Sequence, residues 1–396
     1  MRLALAACVT LLLTCYGGAG AALAQDPRGA LPVLSQSKAL DVATPETLPE
    51  GRGVLWDWPY ELDPRTVTNF IRLHVVARGL PDDSSWVLLV KDGNGNVYDS
   101  LTAASFRWKP APPGQPAEAA RWTQRVPGRK VLVELHAQAR PRALRLRIDR
   151  LNHSFFRPGT KVITTGSDDM RDLMEAVRDR RHRYYGYGRS IAFVPLQMAG
   201  DGTETNCTGF LLAPDLLMTN YHCISEPEQL DTAKAVFGYE SQPLREDSVG
   251  LTKIEVKDES LDFAVLRLAQ PVAGNWTPVK LATAAQVKER QQLVLIQHPS
   301  ERRKVLSLED CVIRSEAVTD RPQNPDDFYH LCDCEGGSSG APVFDEVTGR
   351  VVGLHHLGIE GPFKDGVNLA VKIGPIMQKI RSCDESLYNY IQKYTQ

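Results

Sequence analysis

Two spacings of apolar residues follow one another along this chain. From residue 54 to about 155 apolar and polar positions exchange one for one, with Ile71, Leu73 and Val75 set against Arg72 and His74, and Leu144, Leu146 and Ile148 against Arg145, Arg147 and Asp149. A period of two sends one face of each strand into a core and the other into water. Residues 85–90 and 131–135 continue the pattern, and Asp92-Gly93-Asn94-Gly95 supplies a hairpin turn after the former. The pattern predicts a small β-sandwich over 54–160, behind a flexible leader over 25–53 that is rich in Pro, Gly, Ala and Ser. Met170, Leu173, Met174 and Val177 then recur at three and four residues, behind Ser167 as a cap and Asp168 and Asp169 in the first turn. This predicts a helix over about 168–182, inside a connector spanning 161–187. From 190 to about 371 short apolar runs return without helices between them, among them IAFVPL, CTGFLLAP, DFAVLRL, QQLVLIQHP and VVGLHHLG. They predict an all-β barrel or sandwich, and Ile376, Met377 and Ile380 predict a terminal helix from 374 to about 394.

Charge and cysteines narrow the picture. The 396 residues carry 46 Lys and Arg against 48 Asp and Glu. So balanced a chain offers no basic field, and nucleic acid is excluded as a partner class. The N-terminus runs from Met1-Arg2 through LALAACVTLLL to Ala22-Leu23-Ala24, which predicts a secretory signal over 1–24. No other stretch is continuously apolar for the roughly eighteen residues of a membrane span. The expected location is secreted or periplasmic. Six cysteines then remain, all after residue 200: Cys207, Cys223, Cys311, Cys332, Cys334 and Cys383. An even set suits disulfides in an oxidising compartment, but six cysteines allow 15 full pairings.

Three short stretches carry chemistry. A serine hydroxyl becomes a nucleophile only beside a base, and that base needs a carboxylate to hold its tautomer and amides to hold the oxyanion that forms. Met218-Thr219-Asn220-Tyr221-His222-Cys223 follows Cys207-Thr208-Gly209-Phe210 and offers a histidine at a strand end. Leu261-Asp262-Phe263-Ala264-Val265-Leu266 offers an acid leading into an apolar strand, better placed for burial than its neighbours Asp258 and Glu259. Gly337-Ser338-Ser339-Gly340-Ala341-Pro342 offers a serine in a glycine turn.

Taken together, in the order His, Asp, Ser, these stretches resemble the chymotrypsin-like serine proteases, in the secreted bacterial branch, over roughly residues 188–382. The resemblance implies a chymotrypsin-like double β-barrel within 188–396, with His222 as general base, Asp262 as the orienting carboxylate and Ser339 as nucleophile. It also implies an oxyanion hole from the Gly337 and Ser339 amides, a polypeptide substrate and no cofactor. Cys207 with Cys223 is the staple such proteases place beside the histidine. Cys311 with Cys332 follows the secreted relatives, and Cys334 with Cys383 is left by subtraction, with exchange of Cys332 and Cys334 open. Two pocket candidates conflict. Asp333 lies where trypsin resemblance puts a carboxylate for Lys or Arg, and His355 where glutamate-selective relatives put a pocket histidine. Ser338 stands where the trypsin branch has an aspartate that pairs with a newly cut N-terminus, so no cleavage of that kind is expected.

Other histidines read as structural. His355 and His356 are adjacent in a strand and point to opposite faces, and no cysteine or histidine spacing matches a zinc site. No metal is expected. The competing readings are a catalytically silent binding protein that keeps the fold, and an esterase of another fold, whose acid and base would follow the serine. The partner of the β-sandwich is open.

Overall fold

Alternation in the first half builds two packed antiparallel sheets. The computed structural model describes residues 35–66, 68, 70–154, 170–176, 182–197, 203–240, 247–283, 287–314, 325–359 and 367–396; the expected signal, 1–24, lies outside them. One sheet runs in the order Ser35–Ala43, Arg145–Ser154, Phe70–Gly79 and Ala117–Trp122; the other runs Gly53–Glu61, Lys130–Ala137, Trp86–Asp92 and Val97–Leu101. Lys130–Ala137 alternates exposed or intermediate with buried residues along its whole length. Its Val133 and Leu135 meet Leu73, Val75, Leu88, Leu146 and Ile148 in one core. Each such side chain contributes about 1.5–3 kcal/mol by leaving water.

Part of the expected leader is ordered. Ser35–Ala43 pairs antiparallel with Arg145–Ser154. Its side chains are mostly exposed, so its backbone partner holds it where its composition does not. The expected connector helix also differs. Arg171–Asp172 pairs as a short strand with Val305–Ser307, and among the described residues Leu173–Ala176 is helical and a second short helix follows at Arg183–Gly188. Arg171 and Asp172 spend their backbone on that sheet edge, which delays the helix.

The second half forms the barrel-containing, mostly β part. Ile191–Gln197, Glu204–Ala213, Leu216–Thr219, Phe263–Leu268, Asp247–Asp258 and Lys234–Phe237 close a barrel in that order. Ile191–Gln197 is buried at every residue. One face fills the barrel with Val194, Leu211, Leu217 and Leu266. The other joins Phe210, Met218 and Val265 to Ile296, Phe344 and Leu354 of the next sheet. Burial on both faces is why these strands read as continuous apolar runs.

That next sheet has the order Arg171–Asp172, Val305–Ser307, Leu293–Gln297, Pro342–Asp345, Val351–Ile359, Val367–Lys372, Asp327–His330 and Ile313–Arg314. It curls back on itself where Leu293 N donates to Cys311 O at 2.7 Å and Ile313 N to Gln291 O at 3.0 Å. The expected terminal helix is two helices, Ile373–Cys383 and Glu385–Thr395. Asp384 breaks them with an extended backbone, and its side chain accepts from Leu387 N to cap the second. No helix among the described residues is long and apolar enough to cross a membrane.

Two disulfides form, Cys207–Cys223 and Cys311–Cys332. The expected pairing of Cys334 with Cys383 is overturned: among the described residues the two are not bridged to each other. Cys334 sits in the cluster with Leu293, Val343 and Ala370 and lies 3.0 Å from Asn368 Oδ1, whereas Cys383 packs at a helix end against the other cluster. Burial pushes the Cys334 thiol well above its usual range, so it is not a ready thiolate.

Candidate active site

The strand Leu216–Thr219 is buried on both faces and ends in a tight turn, with Cys223 N and Ile224 N both donating to Asn220 O at 3.3 Å. That turn presents His222. The Cys207–Cys223 bridge ties it to the neighbouring strand across 16 residues. Closing a loop of that size contributes roughly 3 kcal/mol. Cys207, His222 and Cys223 place ligand-type atoms within 4.8 Å of one another, but the two sulfurs are spent on each other.

Asp262 grips His222 twice. Its Oδ1 accepts from His222 N at 3.0 Å, and its Oδ2 lies 2.8 Å from His222 Nδ1. Burial pushes the Asp262 carboxyl up, but the His222 charge and hydrogen bond, with His356 behind them, outweigh this and hold it well below the carboxylate range. An ionised carboxylate only accepts, so Nδ1 carries the proton and Nε2 presents its lone pair. His222 Nε2 has no hydrogen-bond partner among the described residues. Asp262 adopts φ +45°, a left-handed backbone that costs a non-glycine residue about 1–2 kcal/mol. Asn220 Nδ2 holds it there, donating to Asp262 O at 2.8 Å. The neighbouring Asp258 serves the turn instead, accepting from Leu261 N and Ser260 Oγ and pairing with Lys379.

The turn around Ser339 is built on glycine. Gly337 has φ +96° and Gly340 φ +87°. A Cβ on Gly340 would collide with Thr208 O and Thr219 Oγ1, and one on Gly337 would lie 2.6 Å from Asn206 Nδ2. No other residue fits either position. Ser338 is fully buried, its hydroxyl accepting from Glu335 N at 3.1 Å, while Ser339 keeps 8% of its surface. Gly336 O accepts from Ser300 N at 2.7 Å and Ser338 O from Ala341 N at 3.0 Å. A trans peptide sets N–H opposite C=O, so the Gly337 and Ser339 amides face away from those bonds. Neither amide has an acceptor among the described residues.

The two halves of the site meet at Gly340. It lies against Thr208 and Thr219, three residues before His222, while its N donates to His355 O at 2.9 Å. Ser339 is thus brought beside the turn that carries His222, although its hydroxyl does not donate to Nε2 in this conformation. Such hydrogen bonds are often long before substrate arrives and tighten in the complex.

His356 was missed from the sequence. Adjacent in the strand, His355 and His356 point to opposite faces, and both are buried. His356 Nδ1 lies 3.3 Å from Asp262 Oδ2 and its Nε2 3.4 Å from Asp327 Oδ1. Burial pushes this imidazole down, but hydrogen bonds to the two carboxylates outweigh that and raise it from 6.5 to about 9. The signal was the central strand itself, since a run such as VVGLHHLG with no polar alternation is buried on both sides.

The sign of the resulting pH effect follows from that raised value. The contribution of His356 is complete below pH 6.5 and is lost as pH rises through about 9. The Tm is expected to fall across that window in the parent and to fall less in a His356→Gln variant; the same slope in both would remove His356 from the account.

The two pocket candidates have different surroundings. His355 borders the Ser339 turn through its backbone, and its Nδ1 is 3.1 Å from His330 Nε2. Burial pushes both rings down, His330 to about 3. Asp333 is buried, with its carbonyl accepting from Gln297 Nε2 and Ser307 Oγ at 2.8 Å.

Comparison with known proteins agrees in part of the chain. Residues 207–354 match the family described as the trypsin-like peptidase domain. Uncharacterized protein y4fB of Sinorhizobium fredii is 28% identical over 180 residues, which are 40% of this chain and 26% of that protein. The chain thus spans about a quarter of the length of that relative. Secreted RxLR effector protein 73 of Plasmopara viticola is 21% identical over 322 residues, 74% of this chain and 76% of that one. Among solved structures, the active form of the Rv3671c protease of M. tuberculosis aligns with TM-score 0.41 and 18% identity over 58% of this chain and 92% of its own. A Glu endopeptidase aligns with TM-score 0.40 and 16% identity over 55% and 98%.

Proposed function

Since residues 207–354 match the family described as the trypsin-like peptidase domain, we propose that the chain is a secreted or periplasmic serine endopeptidase of the chymotrypsin-like family, working through Ser339, His222 and Asp262. The observation that carries the reading is the double grip of Asp262 on His222, which leaves Nε2 as a free base beside the Ser339 turn. Ser339 Oγ attacks a peptide carbonyl carbon and forms the C–O bond while His222 Nε2 takes its proton. The carbonyl oxygen becomes an oxyanion held by the Gly337 and Ser339 amides. Collapse breaks the C–N bond, and His222 returns the proton to the leaving amine. Water then attacks the acyl ester by the same route, releasing the acid and restoring Ser339. Two disulfides support an oxidising compartment. The buried Ser338, whose hydroxyl caps Glu335 N, supports competence without a new N-terminus at this turn.

The test is a fluorophosphonate probe on the chain with residues 183–191 uncut, together with mass-spectrometric mapping of cleaved peptides. Label on Ser339, none in Ser339→Ala, and a consistent residue before the cleaved bond are expected. The map also decides between Asp333 and His355 as the pocket group. Absence of both label and cleavage sinks the proposal and favours a silent binding protein.

A further inference from the structure

A cleft of about 410 Å³ lies where the sandwich meets the closed barrel, lined by Phe70, Arg72 and Arg125 on one side and Phe193, Lys234 and Glu301 on the other. Behind it the barrel residue Glu204 is fully buried, with Oε1 2.6 Å from Arg72 Nε and Oε2 2.8 Å from Arg125 Nη2. Arg125 also reaches Glu301 at 3.1 Å. Three cations thus face two carboxylates. Arg121 and Asp99, the next charges acting on Arg72, cancel, so one positive charge is in excess.

Arg72 is 2% exposed, and its Nη1 has no hydrogen-bond partner among the described residues. A buried guanidinium N–H without an acceptor is costly, and an oxyanion in the cleft would satisfy it. Lys234 faces Arg72 and Arg125 from the opposite wall, pushed down by burial and by the charges of those two arginines. Around these cations the walls are aromatic. The Arg125 guanidinium sits 4.3 Å from the Phe70 ring centroid, and Phe193 packs 5.1 Å from Tyr239.

We infer that this cleft binds a monocarboxylate carried on an apolar or aromatic body, with the carboxylate between Arg72 and Lys234 and the body against Phe70 and Phe193. One excess positive charge matches one negative charge. A dianion would leave the cleft net negative beside Glu301. The site is separate from the Ser339 turn and does not depend on the reading of the reaction.

Isothermal titration of the full mature chain with N-acetyl-phenylalanine, its amide and inorganic phosphate tests the site, repeated in Ser339→Ala to separate it from product binding at the turn. The acid is expected to bind at least tenfold more tightly than the amide or phosphate, equally in Ser339→Ala. Arg72→Met removes a buried ion pair and endangers the fold, so Lys234→Met, checked for an unchanged Tm, carries the localisation and is expected to weaken the acid at least tenfold. Equal binding of acid and amide, tighter binding of phosphate, loss of binding in Ser339→Ala, parental affinity in Lys234→Met, or no binding at millimolar acid would each overturn the inference.

Discussion

Replacing Ser339 by alanine is expected to lower kcat on a peptide substrate by about six orders of magnitude, the scale seen when a serine protease loses its nucleophile. The loss follows from the chemistry of the turn. Without Oγ no acyl ester forms, and His222 is left to activate water held less well than a bonded hydroxyl. What survives is the rate that binding and the Gly337 and Ser339 amides supply, roughly 10³–10⁴ over water. Single-turnover measurement with excess enzyme reads this range. A residual rate within tenfold of the parent would mean that another group attacks. Ser338→Ala separates the adjacent hydroxyls, because the Ser338 hydroxyl is already spent on Glu335 N, and its effect is expected to be far smaller.

Asp262→Asn should cost about four orders of magnitude in kcat, with the fold intact. Asparagine is among the side chains that tolerate a left-handed backbone, so the φ of +45° at this position survives the change. The electronic effect does not. An amide facing Nδ1 can donate to it, which puts the ring proton on Nε2 and leaves no lone pair for the Ser339 proton. The same substitution removes one of the two carboxylates that lift His356 to about 9, so the decline of Tm with rising pH should shift to lower pH. Activity within tenfold of the parent, with an unchanged pH dependence of Tm, would deny Asp262 this place.

What could be read from residue order was mostly what local chemistry dictates. The strand periods marked the sheets because alternation and continuous apolar runs each have one physical cause. Gly337 and Gly340 were legible because only glycine fits their backbone. His222 and Asp262 stood 40 residues apart in the chain, and their direct contact required knowing the shared motif. Pairing Cys334 with Cys383 failed because subtraction counts sulfurs without asking what surrounds them. His356 was missed because alternation gives the face of a strand residue but not its contact, here a carboxylate 94 residues away in the chain. The Arg72, Arg125 and Glu204 cluster was hidden differently. On an alternating strand Arg72 reads as a solvent-facing residue, and only the approach of the barrel turns that face inward.

The loop around residues 298–301 ties these regions together. Ser300 and Glu301 are both left-handed, at φ +47° and +59°, and are clamped from two sides: Asn206 and Gly336 hold their backbone, while Arg125 holds the Glu301 carboxylate. Two adjacent unfavourable conformations persist only while both clamps remain. The turn that carries Ser339 therefore inherits part of its shape from a residue in the amino-terminal sandwich. Over evolutionary time the two halves are not free to be shuffled as independent cassettes, because an exchange that loses the arginine at 125 also releases the floor beneath Gly336.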